Sequence, residues 1–574
     1  MEPIVNLFKD GMEELSLLTI YGSVLRIALP VLALFVVFRS ARSLLTFRPE
    51  PEVWAWLRLA TGELLPVTHW ENVIGRKKSA DIVLDFATVS KNHAVLTRQD
   101  DGTWTIRDVG ARGKVQVNGK LVGYAPLAYG DTLSLAGLDM VLERVSGEEA
   151  RLQANARTRA GKGNSPGLTL ILLTVFQLLT MLSLCMHMDA EHLPKFLLAF
   201  GVLIAVGWAL FFGQKLIRRS GFEVETIALF LTTVGLAVTG SKNPDAMEKQ
   251  LIAMGIGLVI FLVIGFSLRT LERAQKVRYL AAAAGVALLL VNLVFGVEQY
   301  GAKNWIYLGG FSFQPSELVK LCFIFAGAST LERIVTRRNM ALFILYTGFV
   351  GGCLVIMNDF GTAAIFFVCF LVIAYLRSGN FAAIGMILAG VGLAGLLAIR
   401  FLPHVVRRFS AWGHIWEVPL DAGFQQTRAL MCIASGGLFG LGLGNGWLKY
   451  VAASDTDLIF AFVAEEWGLI MAAVMIVALA VLGLFVVRSA KVGRSSFYTI
   501  AACAAMSIMM TQAILNVFGT VDFLPLTGVT FPFVSNGGSS MMAAWGLLAF
   551  IKACDTRQNA SFAVKLSDKG GAAA

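Results

Sequence analysis

Apolar residues fall in long unbroken runs over most of the chain. The first is Leu17–Phe38. From about residue 167 the runs follow one another near 167–187, 195–213, 222–240, 250–268, 278–297, 316–333, 341–357, 360–377, 381–402, 457–486, 497–518 and 540–553. Each approaches the roughly 20 residues that a helix needs to cross a bilayer, which predicts about 13 transmembrane helices. Between about 50 and 148 the pattern changes to short alternating stretches: Asp81-Ile-Val-Leu, Ala94-Val-Leu, Thr103-Trp-Thr-Ile and Val115-Gln-Val. Turn pairs punctuate them at Asp101-Gly102, Asn118-Gly119 and Gly130-Asp131. Strands of this length and spacing predict an all-β sandwich. The expected fold is therefore a multi-pass α-helical membrane protein with a β-sandwich inserted after its first helix. In order, the segments are an extracellular N-terminus (1–16), a transmembrane helix (17–45), the sandwich (50–148), a basic linker (149–166), a polytopic membrane domain (167–553) and a cytoplasmic tail (554–574).

Composition agrees with this reading. Of 574 residues, 56% are hydrophobic and only 15% charged, with a mean hydropathy of +0.69. A soluble fold cannot hide that much apolar surface. The formal charge of +10 would suit a nucleic-acid binder, but the basic residues gather in short loops, as the positive-inside rule demands, and no nucleic-acid partner is expected. Lys215–Arg219, Arg269–Arg278, Arg333–Arg338 and Arg488–Arg494 all fall on one side, which is then the cytoplasmic one. The long, weakly charged segments 298–315, 403–456 and 519–539 fall on the other. Asp10, Glu13 and Glu14 precede the first run and Arg39, Arg42 and Arg48 follow it, so the N-terminus is read as external and not as a cleavable signal. The sandwich and the C-terminus then lie inside.

The seven cysteines are scattered at 185, 322, 353, 369, 432, 503 and 554, and the six histidines make no HExxH. Neither a disulfide framework nor a zinc site is indicated. No cofactor is expected, and nothing in the sequence indicates a divalent cation, although one remains compatible with it. The glycine-rich run Gly436–Gly446 lacks the Gly-Lys-Ser/Thr ending of a phosphate loop and falls on the outer side, so it is read as close-packed backbone.

Within the insert, Gly75-Arg76, Ser90-Lys91-Asn92-His93, Asp108-Val109-Gly110, Val117-Asn118-Gly119 and Gly130-Asp131 occur in an order and spacing that resemble the forkhead-associated (FHA) domain. The resemblance implies phosphothreonine reading by Arg76 and Ser90, with Lys91 beside them. A guanidinium fork with hydroxyl and amide donors suits a dianionic phosphate. Where family members carry Ser-x-Asn-Gly-Thr, this chain has Ala111-Arg112-Gly113-Lys114. His93 is read as a structural histidine joining two loops.

Four stretches on the expected outer side carry a second resemblance. They are Gly301–Lys320 with Lys303, Trp305, Gln314, Ser316 and Glu317; Asn358-Asp359-Phe-Gly361-Thr362; Gly423-Phe-Gln425 through Gly440 to Thr456-Asp457-Leu-Ile-Phe-Ala and Glu465-Glu466-Trp-Gly; and Leu524-Pro525-Leu-Thr527-Gly528 with Phe531–Ser540. Together they resemble the SEDS family (FtsW, RodA and SpoVE proteins) over roughly 270–553. The resemblance implies a peptidoglycan glycosyltransferase that joins lipid II units at the outer face of the cytoplasmic membrane and releases undecaprenyl pyrophosphate. It also implies a class B penicillin-binding protein as transpeptidase partner, and the FHA domain implies a phosphothreonine protein as a further partner.

The candidate substrate-binding residues are Lys303, Trp305, Gln314, Ser316, Glu317, Lys320, Asp359, Arg407, Arg408, Gln425, Arg428, Asp457, Ser535 and Ser539. Glu317 and Lys320 stand three apart on one helical face, within pairing reach. Arg407 and Arg408 lie outside against the charge trend, as clamps for pyrophosphate or as snorkelling anchors. Trp305 is a groove residue or an interfacial anchor, and Glu465 and Glu466 are functional or simply paired charges. Proton removal from the acceptor hydroxyl needs a carboxylate. The family places an Asp before the Pro of Asp-Pro-x-Gly-x-Gly-Tyr-Gln, and here Val418 stands there, before Pro419. Asp421 is the nearest replacement, with Glu417 as the alternative. A lipid II flippase and a non-catalytic division scaffold remain as other functions, and the choice between septum and side wall stays open.

Overall fold

In this computed structural model the described residues are 2–46, 51–160, 165–329, 337–378, 381, 385–390, 392, 412–557 and 560–561, apart from 79, 100, 111–112, 218, 220, 300 and 310. Arg407, Arg408, Ala111, Arg112 and most of the expected 381–402 span lie outside them.

Helix α1 (Glu2–Thr46) runs without a break through both the expected external terminus and the first span. The sandwich follows. One sheet has six strands in the order β2 (Leu64–Val67), β1 (Ala55–Leu59), β11 (Leu138–Arg144), β10 (Thr132–Leu135), β7 (Val115–Val117) and β8 (Lys120–Leu121). The other has five: β4 (Ile82–Val83), β3 (Glu71–Gly75), β5 (Ala94–Arg98), β6 (Trp104–Asp108) and β9 (Tyr124–Leu127). Alternation decides which face is buried. Ala55, Leu57 and Leu59 of β1 point inward with Leu133 and Leu135 of β10, and Arg58 points out to pair with Glu143 at 2.7 Å. These side chains, with Trp104, Ile106 and Leu142, form a core of the sandwich's own.

Residues 149–160 of the expected linker 149–166 lie in helix α2 (Gly147–Ala160). Its sequence contains neither Pro nor an internal Gly, and Glu148 and Glu149 sit in its first turn, where the helix dipole favours negative charge. Charge and polarity signalled exposure, and exposure is compatible with a helix.

The membrane domain is built on α5 (Glu223–Lys242), which is buried along its entire apolar length. α1, α3 (Pro166–His187), α4 (Leu193–Leu216) and α6 (Met247–Ser267) pack against it, and further along the chain come α7 (Leu271–Phe295), α8 (Pro315–Ser329), α9 (Arg337–Ile356) and α10 (Phe360–Ser378). After them come α11 (Phe424–Gly436), α12 (Ile459–Glu466), α13 (Leu469–Ala490), α14 (Ser496–Thr520) and α15 (Gly538–Ala553). Among the described residues, nine helices are long and apolar enough to cross a membrane, and α9 contains a shorter apolar stretch, Ala341–Ile356.

The expected span 457–486 is corrected. It is two helices, α12 and α13, broken at Trp467-Gly468, where Gly468 adopts φ +90°. The break frees the buried Glu465 and Glu466 to accept backbone N–H groups from a returning loop. Trp447 and Leu448 N–H donate to Glu465 at 2.9 Å each, while Gly444 (3.2 Å), Gly446 (3.3 Å) and the Ser241 hydroxyl (2.6 Å) donate to Glu466. A Cβ on Gly436 would collide with the Ala464 carbonyl, so the glycine-rich run is close-packed backbone, as expected. The outer segment 298–315 contains a three-stranded antiparallel sheet, β12 (Val297–Gln299), β13 (Ala302–Leu308) and β14 (Phe311–Phe313), for which no expectation existed.

The insert is docked, not merely tethered. Trp70 N–H donates to the Arg494 carbonyl at 2.6 Å, and the Trp70 ring lies edge-on to Trp54 and Tyr498, each 6.0 Å away. Arg494 pairs with Glu52 at 3.0 Å and also donates to the Thr556 carbonyl at 3.3 Å. One turn between α13 and α14 therefore holds the sandwich and the chain's last described segment together. At the same end, Arg557 joins Glu223 (2.9 Å) and Asp555 (2.6 Å), and Lys552 joins Glu225 (3.0 Å), all buried.

The helices α5 and α14 both run from this joint to the three outer segments, about 30 Å away for the 20 residues of α5. The insert and the outer segments thus occupy opposite ends of the helical layer, as the charge reading requires. In a cysteine-free variant, cysteines placed at the exposed positions 101 and 417 report the sidedness. An impermeant thiol reagent applied to intact cells is expected to label 417 and spare 101, and the reverse pattern overturns the topology.

Candidate functional site

At the end opposite the insert, the outer segments enclose a cavity of about 720 Å³. Its walls come from β13 and β14, the first turns of α6, α8 and α10, the 453–457 segment and the loop 527–540 leading into α15. Six of the sequence-predicted residues line it: Trp305, Gln314, Glu317, Asp359, Asp457 and Ser539.

Asp359 shows how local structure aims a side chain. It caps the N-terminus of α10, where the Thr362 N–H donates to its Oδ1 at 3.1 Å. That bond turns Oδ2 toward the cavity, where it accepts from Asn304 Nδ2 (3.0 Å) and Gln314 Nε2 (3.2 Å). Gln314 is itself set in place by its backbone N–H, which donates to Ser539 Oγ at 2.9 Å. On α8, Lys320 Nζ donates to Glu317 Oε1 at 2.6 Å, and both residues are buried, so the expected pair is present. Three residues that line the cavity each carry a buried oxygen with no protein partner: Asn304 Oδ1, Glu317 Oε2 and Thr527 Oγ1. Two of these are pure acceptors, and a buried acceptor left unmatched costs about 1–3 kcal/mol.

Other expected residues support the walls from behind. Ser316 is fully buried beneath Glu317. Ser535 Oγ accepts from Phe531 N–H at 2.8 Å and donates to the Thr456 carbonyl at 2.7 Å, fixing two wall segments to each other. Lys303 donates to the Leu293 carbonyl at 2.9 Å on the exposed side of β13. Gln425 donates to the Ala452 carbonyl at 3.1 Å, and the Arg428 guanidinium stacks on Phe424 at 5.0 Å. Asp421 and Glu417 are exposed on the loop before α11, and neither lines the cavity. Glu465 and Glu466 bind backbone amides, away from the cavity.

Asn304, Asp455, Thr527 and Asn536 line the cavity and escaped the sequence reading. Among the described residues no cluster of His, Cys, Asp and Glu could hold a metal ion.

In the insert, Arg76 and Lys91 are exposed and Ser90 half-buried at one pole of the sandwich. Backbone bonds Arg76 N–H to Ser90 O (3.0 Å) and Lys77 N–H to Lys91 O (3.1 Å) bring the two loops together. His93 underlies them. Its Nδ1 accepts from Ser90 N–H at 3.2 Å, its own N–H donates to the Ile74 carbonyl at 2.8 Å, and burial pushes its pKa below the ordinary value, in keeping with a structural role.

The family model of the FtsW, RodA and SpoVE cell cycle proteins matches residues 225–560. The chain belongs to this family. A second family model, the FHA domain, matches residues 72–136 within the sandwich, so the insert of this family member is an FHA domain. Among relatives, the peptidoglycan glycosyltransferase RodA of Mycobacterium tuberculosis is 31% identical over 331 residues, covering 54% of this chain and 70% of the relative. Stage V sporulation protein E of Bacillus subtilis is 30% identical over 350 residues, covering 56% and 94%. The crystal structure of Thermus thermophilus RodA is 26% identical, covers 58% of this chain and 95% of its own, and superposes with a TM-score of 0.43.

Removing one partner of a buried ion pair leaves the other charge stranded, at about 3–5 kcal/mol. Lys320→Met is therefore expected to lower the thermal unfolding midpoint in detergent micelles sharply, and the double variant Glu317→Leu/Lys320→Met to recover most of the loss. Equal stability of the single variant and the parent would show that the pair contributes nothing.

Proposed function

We propose that this chain is a peptidoglycan glycosyltransferase that polymerises lipid II at the outer face of the cytoplasmic membrane. The observation that carries the proposal is the cavity opposite the insert, whose lining brings together Asn304, Trp305, Gln314, Glu317, Asp359 and Asp457. A saccharide offers hydroxyl and amide groups that such polar and aromatic side chains can bind. Family membership and the glycosyltransferase relatives support the same reading.

In the reaction the acceptor sugar hydroxyl attacks the anomeric carbon of the donor. The new glycosidic C–O bond forms as the bond to undecaprenyl pyrophosphate breaks, and the hydroxyl proton passes to a carboxylate. Asp457 already lies on the cavity wall. Asp421, on the loop before α11, is the second candidate, and it serves as base only when that loop closes over the cavity. Asp359 and Gln314 orient the substrate, and Arg407 and Arg408 are proposed to meet the diphosphate. A class B penicillin-binding protein would cross-link the product. The FHA domain, facing the cytoplasm, would take a phosphothreonine segment on Arg76, Ser90 and Lys91. The exposed position of Asp421 and Glu417 favours one second reading, a non-catalytic division scaffold.

The deciding experiment is polymerisation of purified lipid II by the full chain, with and without a transpeptidase partner. Loss of a general base reduces rate by about 100- to 10,000-fold. Asp457→Asn, Asp421→Asn and Glu417→Gln are compared in folded protein. A loss confined to one variant assigns the base, and an inactive parent favours the scaffold. For the FHA domain, Arg76→Ala is expected to weaken phosphothreonine-peptide binding by more than about tenfold, the worth of a charged hydrogen bond. Equal binding of phosphorylated and plain threonine peptides would reduce the insert to a docking module.

A further inference from the structure

An ion pair that none of the sequence motifs contains braces the cavity wall from behind, and its carboxylate residue, Asp455, lines the cavity. Helix α5 ends at Lys242, whose ammonium reaches the 451–457 segment and donates to the Val451 carbonyl (3.2 Å), Ser454 Oγ (2.9 Å) and Asp455 Oδ1 (2.7 Å). These acceptors take up all three N–H bonds of the ammonium. The second oxygen of Asp455 accepts from Asn536 Nδ2 at 2.7 Å, and Asn536 N–H donates to the Asp455 carbonyl at 2.8 Å. One carboxylate thus joins the central helix to both loops that form this side of the cavity. The pair is mostly shielded, with side chains 19% and 10% exposed, so its attraction is less screened than that of a surface pair.

The same segment is suspended by its carbonyls. Thr456 O accepts from Ser535 Oγ (2.7 Å), and Asp457 O accepts from Asn516 Nδ2 (3.0 Å). Ala453, where the segment turns, is held at φ +55°, a left-handed conformation that a non-glycine residue rarely adopts. Asp455, Thr456 and Asp457 all line the cavity.

We infer that Lys242 is a positioning residue: through Asp455 and Asn536 it holds the 453–457 segment so that the Asp457 carboxylate is presented to the substrate. The inference rests on the reading of the cavity as the site of glycosyl transfer. A displacement of about 1 Å at a reacting group can cost on the order of a hundredfold in rate. The clamp therefore acts on turnover of folded protein, not only on the amount that folds.

The test uses the full chain in detergent with Lys242→Met, Asp455→Asn, Lys242→Arg and the charge exchange Lys242→Asp/Asp455→Lys. Hydrogen exchange is followed in 451–457 and 535–538, and kcat and KM for lipid II are measured on the folded fraction. Lys242→Met and Asp455→Asn are expected to speed exchange in both segments and lower kcat, each by more than about tenfold, the scale of a charged hydrogen bond. KM should change little, and Lys242→Arg and the exchanged pair should recover. Unchanged exchange, a kcat loss fully explained by less folded protein, or failure of Lys242→Arg to recover would each overturn the inference. If the parent polymerises nothing, the functional reading fails, and the exchange rates alone still decide whether the clamp holds the segment.

Discussion

A charge or a backbone polar group taken out of water must find its partner inside the protein, and this requirement organises the membrane domain. α5 is buried over its whole length, yet it carries Glu223 and Glu225 at one end and Lys242 at the other. At the insert's end the carboxylates meet Arg557 and Lys552. At the cavity's end the ammonium meets Asp455. The helix is uncharged through its buried middle and charged only at its ends, where another segment of the chain comes to meet it. The same rule places Lys320 against Glu317, and it breaks the 457–486 run so that Glu465 and Glu466 can accept the amides of the glycine-rich loop.

The cavity gathers both satisfied and unsatisfied polar groups. Asp359 is satisfied by a helix cap and two amide side chains, but Asn304, Glu317 and Thr527 each keep a buried oxygen without a protein partner. The cavity's place at one end of the helical layer, opposite the FHA domain, separates the proposed chemistry from the proposed regulatory input by the length of α5. The joint around Trp70, Arg494 and Tyr498 lies at the start of α14, and Asn516, near the end of that helix, holds the cavity wall. The domain joint and the cavity wall therefore share one helix.

Much was legible in the chain itself. Long apolar runs, basic loops and alternating strands determined the membrane class, the β-sandwich insert and its position after the first helix, because bilayer thickness and strand pleat impose periods that any sequence must show. The motifs around Trp305, Glu317, Asp359 and Asp457 pointed to the cavity, and the three-residue spacing of Glu317 and Lys320 was sufficient to predict their pairing. Tertiary structure decided what spacing cannot encode. Lys242 and Asp455 lie more than 200 residues apart, so their contact is a property of helix packing. The break at Gly468 depends on carboxylates finding amides twenty residues upstream, and the helix in place of the 149–166 linker depends on propensity that a polar composition concealed. Asp421 follows a family-like Pro in sequence, but its loop leaves it exposed outside the cavity. Local pattern reports which groups are costly to bury, and only the fold reports which partner removes that cost.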